Sequence, residues 1–427
     1  MHTLLLAGRF DDTFQFKDSK EIVLLRAVAD GEVTAVRPSN MNQVYDNSQE
    51  VYSTEFQQIW QTTHHTTIAG LLGQWGELHV MNLQTNPETF PELFLDPPAK
   101  QDLKLDFERF QAYVYHLWQP VAPLQLIGGV SYDWMKFPEN FRSAPLSTQE
   151  KTVDQVSPKA GLILTPTTNS TLRFAYTRSL GGASLDQSFR LEPTQVAGIN
   201  QAFRSIIPES VAGANAGARF ETYGLSLEQK FPTSTYLGFF GQILKSNIRR
   251  TVGAFDLNTD VSDLFLPSSM GENLDFEERS LYFSLDQLLG AEWCVGARYR
   301  LTEARLSDKF PAAANAFTFP PFQANRNLET VLHQLDLHLD FNHSSGFFAR
   351  FDALWNLQSN SGYQPDEPGD EFWHLNVFAG YRFLHRKAEF RIGVLNLTDR
   401  DYRLEPLTLY NELPRGRTLL VRFQFQL

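Results

Sequence analysis

The chain lacks most of the features that mark soluble enzymes and helical membrane proteins. Cys294 is its only cysteine, so no intrachain disulfide and no multi-cysteine metal site is available. No apolar run approaches the roughly 20 residues that a spanning helix needs. Positive charge is not in excess: 37 basic against 49 acidic side chains give a formal charge of −12, which argues against a nucleic-acid partner. The charges are scattered, so no acidic tail is implied. No nucleophile elbow, zinc-binding helix motif, P-loop or dinucleotide fingerprint occurs, so no catalytic residue and no cofactor is assigned. His64 and His65 fall in a short turn. His333 and His338, five apart, fall on opposite faces of one strand, so neither pair makes an obvious metal site. The opening MHTLLLAGRF has a short apolar stretch cut by Arg9, without the long apolar core or cleavage site of an export leader.

What the chain does have is alternation with a period of two. Leu419, Val421, Phe423, Phe425 and Leu427 share one face of the last segment, against Leu420, Arg422, Gln424 and Gln426. Leu335, Leu337, Leu339 and Phe341 oppose Asp336, His338, Asp340 and Asn342. Trp293, Val295, Ala297, Tyr299 and Leu301 oppose Cys294, Gly296, Arg298, Arg300 and Thr302. Phe347, Ala349, Phe351, Ala353, Trp355 and Leu357 oppose Arg350, Asp352, Asn356 and Gln358. A β-sandwich strand also alternates, but many of these segments run past ten residues, nearer the 9–11 of a membrane strand than the 5–6 of a soluble one. Aromatic residues are 13% of the chain, which suits interfacial girdles.

The connections sharpen the choice. Short turns are expected near 63–66, 121–123, 167–170, 232–235, 290–291, 343–346 and 384–388. Longer polar stretches are expected near 17–49, 85–102, 142–153, 180–217, 258–271, 309–326, 360–370 and 400–416, the first being the least regular. Long and short alternate, as in outer-membrane barrels with short periplasmic turns and long outer loops. The pattern predicts an all-β, transmembrane, antiparallel β-barrel of about 16 strands with both termini periplasmic, its last strand pairing with its first. Trp60, Trp118 and Trp293 each fall near a predicted short turn, where interfacial aromatics collect. Inward charges line the lumen in such a barrel, which makes Arg298, Arg300, Asp336, Asp340, Arg350 and Asp352 candidates for a solute path. The stretch 180–217 is a candidate ligand or gating loop, a solvated loop being the plain alternative.

Two segments go beyond generic patterning. SPKAGLILTPTTNSTLRFAYTRS, led by Ser157, Pro158 and Lys159, reads as a hairpin turning near Pro166–Ser170. FRIGVLNLTDRDY carries Asn396, Leu397, Asp399 and Tyr402, and is followed by LPRGRTLLVRFQFQL with Pro414, Arg415 and Arg417. Both resemble TonB-dependent receptors, at the mid-barrel hairpin and at the C-terminal signature; Leu427 stands where the family usually ends in an aromatic residue. The resemblance implies a 22-stranded barrel with an N-terminal plug, of which residues 1–427 would be one barrel domain from the C-terminal portion, with plug and energy-coupling box absent. It implies uptake of a small solute, outer-membrane lipid around the barrel, and an energy-coupling periplasmic partner acting through the missing plug. Three rivals remain. A polysaccharide secretion porin preceded by periplasmic helical repeats is one, an outer-membrane lipase or protease is a second, and a soluble β-rich binding module is the third.

Overall fold

The computed structural model describes residues 1–86, 99–182, 190–202, 216–258, 265–383 and 387–425. Sixteen strands of eight residues or more dominate it. They are β1 (His2–Ala29), β2 (Glu32–Gln61), β3 (His65–Thr85), β4 (Ala99–Val121), β5 (Leu124–Pro138), β6 (Glu150–Thr167), β7 (Ser170–Leu180), β10 (Arg219–Lys230), β11 (Thr235–Asn258), β12 (Phe265–Leu289), β13 (Trp293–Lys309), β15 (Asn325–Asn342), β16 (Phe347–Ser361), β17 (Glu371–Phe383), β18 (Ala388–Leu395) and β19 (Thr418–Phe425). Three two-residue strands, β8 (Gln195–Val196), β9 (Ile199–Asn200) and β14 (Phe317–Thr318), lie in the loops. Each long strand pairs antiparallel with the next, β7 with β10 and β13 with β15 across the insertions.

The sheet closes on itself at its outer end. Leu24–Val28 of β1 pairs in parallel with Ala254–Asn258 of β11, and the strands from β12 onward continue beyond that ring. Arg26 braces the junction, donating to Asp256 at 2.6 Å and to Ser268 at 2.9 Å. The expected ladder between first and last strand does not occur among the described residues. The outer end of β1 is engaged with β11 instead, and the inner part of β1 and β19 are mostly exposed. Gln426 and Leu427 lie outside the described residues.

The alternation becomes two faces. Outward on β13 and β15 stand Trp293, Val295, Leu337 and Leu339, all exposed, and they face hydrocarbon in an outer-membrane barrel. Trp60, Trp118 and Trp293 are exposed beside the short turns, and Tyr52, Trp75 and Tyr132 are exposed toward the other end. From Trp60 to Tyr52 is about 26 Å at ~3.3 Å per residue, the height of a lipid belt. Above the belt the outward face turns charged, with Arg279 paired to Glu277 at 2.7 Å and Lys104 to Glu77 at 3.5 Å. Among the described residues no helix is long and apolar enough to cross a membrane.

The short turns fall where expected, except that 384–386 lie outside the described residues. The long stretches differ in two places. Residues 17–49 are not a loop: β1 and β2 run through them and reverse at Asp30–Gly31, with φ of 52° and 80°. Two positive φ values in a two-residue connection match the right-handed twist of the flanking strands, and Asp-Gly meets that demand. Strand β12 likewise starts at Phe265, inside the predicted loop 258–271, of which 259–264 lie outside the described residues. Toward the outer end the inner face is apolar where loops fold onto it. Leu407 of the last loop packs on Phe220, Leu244, Phe276 and Leu306, and Leu146 packs on Phe107 and Met135.

Candidate functional site

The lumen has a filled side and an open side. The filled side is built by residues 190–202, which lie against the inner faces of β2, β4, β6 and β10. Their tip is the β8–β9 hairpin, turning at Ala197–Gly198 with φ of 51° and 79°. It rests on two glycines of the wall. A Cβ at Gly161 of β6 would come within 2.8 Å of Val196, and one at Gly224 of β10 within 2.8 Å of Ile199. Val196 and Ile199 pack with Tyr113, Tyr115 and Ala175.

A buried polar network holds the segment down. Glu55 on β2 accepts the backbone N–H of Leu191 at 2.6 Å and of Glu192 at 2.9 Å, and the Tyr113 hydroxyl at 2.8 Å. Glu192 accepts the Tyr115 hydroxyl at 2.7 Å and the Gln111 amide at 3.0 Å, and is paired with Arg190. Lys159 of β6 lies 3.7 Å from Glu192 and donates to the Arg178 carbonyl at 3.0 Å. Burial works against the Glu192 charge, but Arg190 and Lys159, with the Tyr115 and Gln111 hydrogen bonds, outweigh it and hold this carboxyl below its ordinary range. Of the predicted loop 180–217, residues 183–189 and 203–215 lie outside the described residues.

The open side is an inner cavity of about 620 Å³ against β11, β12, β13, β15 and β16. Gln242, Glu278, Ser280, Arg298, Arg300, Gln334, Asp336 and Asn356 line it, capped by Asn200 and Gln201 of the inward segment and by Asn411 of the last loop. Arg298 reaches Asp336 at 3.7 Å. Arg300 donates to the Thr302 hydroxyl at 3.1 Å and forms no ion pair among the described residues. Asp336 Oδ1 and Glu278 Oε2 are buried and have no hydrogen-bond partner among the described residues.

The structure sorts the sequence-predicted residues into separate places. Arg298, Arg300 and Asp336 meet in the cavity. Asp340, Arg350 and Asp352 form an ion cluster nearer the short turns, with Arg350 at 2.7 Å from Asp352 and 3.9 Å from Asp340. Ser157 is buried and accepts Gln155 at 2.9 Å; Pro158 faces outward, and the β6–β7 register begins beside it at Lys159. The C-terminal set ties the last loop. Asn396, at φ 52°, donates to the carbonyls of Arg400 and Pro414, and Asp399, at φ 57°, accepts the Arg417 N–H at 2.6 Å. The Tyr402 hydroxyl donates to the Leu413 carbonyl at 2.9 Å, Arg415 lies over the Tyr402 ring, and Leu397 bonds the Leu375 carbonyl. Sequence reasoning missed Glu55, Tyr113, Tyr115 and Glu192. The one available signal was two tyrosines, Tyr113 and Tyr115, on the inner face of a strand whose neighbours there are polar.

A family model described as TonB-dependent receptor-like β-barrel matches residues 4–397. No curated protein matches the chain in sequence. Among solved structures, the chain is similar to the ferric yersiniabactin uptake receptor FyuA from Yersinia pestis, at 10% identity and a TM-score of 0.58, covering 99% of this chain and 58% of that one. It is similar to the copper transporter OprC, at 13% identity and a TM-score of 0.57, covering 91% and 57%. It is also similar to the unliganded ferric citrate transporter FecA, at 10% identity and a TM-score of 0.57, covering 99% and 59%. The chain thus spans under two thirds of each of these structures.

Proposed function

The chain belongs to the TonB-dependent receptor-like β-barrel family, an outer-membrane family of transport receptors rather than enzymes, and from that premise we propose that it serves in uptake of a small anionic metal chelate. The observation that carries the reading is Arg300, a guanidinium without a carboxylate partner among the described residues, facing the cavity beside Asp336 and Glu278. A guanidinium offers a planar fork suited to carboxylate oxygens. The buried Asp336 and Glu278 oxygens would accept hydroxyl or amide donors of the same solute. Lipid surrounds the outward belt, and energy reaches the lumen from an energy-coupling periplasmic protein through a plug domain.

The proposal includes the C-terminal portion of a longer receptor as the setting of this chain. Its span on the solved receptors supports this, as do the inner part of β1 and the outer side of β19, which carry no ladder among the described residues. Lipid cannot satisfy such backbone groups, which is what a setting with neighbouring strands would supply. No observation favours the polysaccharide-export reading.

Titration of the purified receptor in detergent with ferric citrate and with ferric yersiniabactin tests the cavity. Binding of either chelate, weakened about tenfold or more by Arg300→Ala, is the expected result; losing one charge-assisted hydrogen bond corresponds to that size. Binding that Arg300→Ala leaves unchanged, or no binding of either chelate, overturns the anionic-chelate reading.

A further inference from the structure

We propose that Asp286, Cys294 and His338 form a binding site for a thiophilic divalent cation, Zn²⁺ in the first instance, at the periplasmic rim of the inner wall. Asp286, Gly296 and His338 are direct register partners across β12, β13 and β15, and Cys294 lies two residues before Gly296 on the same inward face. The carboxylate, thiol and imidazole donor atoms all lie within 4.8 Å of one another, with His338 Nε2 at 2.9 Å from Asp286 Oδ1.

The middle strand is built to let them meet. A Cβ at Gly296 would fall 2.3 Å from the His338 ring and 2.4 Å from Asp286, so any side chain there would push the two apart. Gly296 is thus the floor of a trough whose walls are two ligand residues and whose end is the thiol. His338 is 4% exposed, and its Nδ1 has no hydrogen-bond partner among the described residues. In the absence of a cation the proton shared with the Asp286 carboxylate sits on Nε2, and a cation entering the trough displaces it, so binding releases a proton. The cations that could compete for Asp286 are engaged elsewhere: Arg298 with Asp336 and Arg350 with Asp352 and Asp340. One sulfur, one nitrogen and one oxygen donor suit tetrahedral Zn²⁺ with its fourth position open to water. Mg²⁺ and Ca²⁺ prefer all-oxygen sites and are not expected there. This assignment stands apart from the uptake reading, because the trough lies near the short turns and shares no ligand with the chelate cavity.

Cys294 is the only thiol in the chain, which makes the test clean. In the detergent-solubilised receptor, Zn²⁺ at about ten times its Kd or more should slow alkylation of Cys294 by N-ethylmaleimide about tenfold or more, because only the unligated thiol reacts. Mg²⁺ should leave the rate unchanged, and Asp286→Asn and His338→Ala should abolish the Zn²⁺ protection. Co²⁺ added to the unmodified receptor should give a thiolate-to-cobalt charge-transfer band in the near ultraviolet. That second measurement decides the matter if the variants fail to fold. Absence of both protection and the band in the unmodified receptor, or protection that persists in His338→Ala, overturns the site.

Discussion

Glu405 shows how a single loop carboxyl couples this barrel to pH. Burial, and then the neighbouring Glu367 carboxyl, push Glu405 up to about 7. Its pKa is therefore raised on folding, and the native loop binds the proton more tightly than the unfolded chain. The associated stability is fully present below the ordinary carboxylate range and is lost as pH rises through about 7. Amide exchange across 396–417, corrected for intrinsic rate, should be slower at pH 5.5 than at pH 8, and Glu405→Gln should flatten the difference. Protection that increases with pH would contradict this. At this scale the sequence was partly legible. Asn396, Asp399 and Tyr402 belong to the C-terminal signature and Arg417 to the segment that follows it, and they tie that loop. The site of Glu405 was not legible, because it depends on Gln358 and Glu367, which are distant in sequence.

The inward hairpin is the element with the most specific fit. Its backbone is held by Glu55 and its side chains rest on Gly161 and Gly224, so its position depends on two carboxylates and two missing side chains. Glu192→Ala removes the carboxylate that Arg190 and Lys159 both face, and should destabilise the docked segment by about 3–5 kcal/mol. Gly161→Val should dislodge the tip by overlap with Val196. Both variants should raise exchange and protease sensitivity over 190–202 while the barrel keeps its heat-modifiable migration on gels. Unchanged protection in both would mean that the network does not hold the segment. Alternation could not reveal this element, since it has no ladder to the wall and only two residues in each strand. The β1–β2 hairpin escaped for another reason. Its outer half lies beyond the lipid belt, so Arg37, Ser39, Asn40, Asn42 and Gln43 need no apolar face, and polar strand reads as loop. The Asp30–Gly31 pair was the overlooked turn signal.

At the scale of the whole molecule, the lipid belt is the property that alternation encodes directly. Hydrocarbon demands apolar side chains at every second position and lets the intervening ones be wet, so strand existence and facing were readable from sequence. The ring closure was not, because it rests on a parallel ladder between residues some 230 positions apart. The belt predicts an optical result. In vesicles of variants that keep one of Trp60, Trp118 or Trp293 as the sole tryptophan of the seven, lipids brominated near the headgroup should quench more strongly than lipids brominated near the chain end. Equal quenching at both depths would place these rings outside the interfaces.

A chain with one thiol can be labelled at one address. Cys294 stands two positions from the Gly290–Glu292 turn, on the inward face of its strand. A polarity-sensitive dye attached there would view the interior from the side opposite the loops. Wetting or blockage of the passage could then be followed in time without touching the residues that meet a solute from outside.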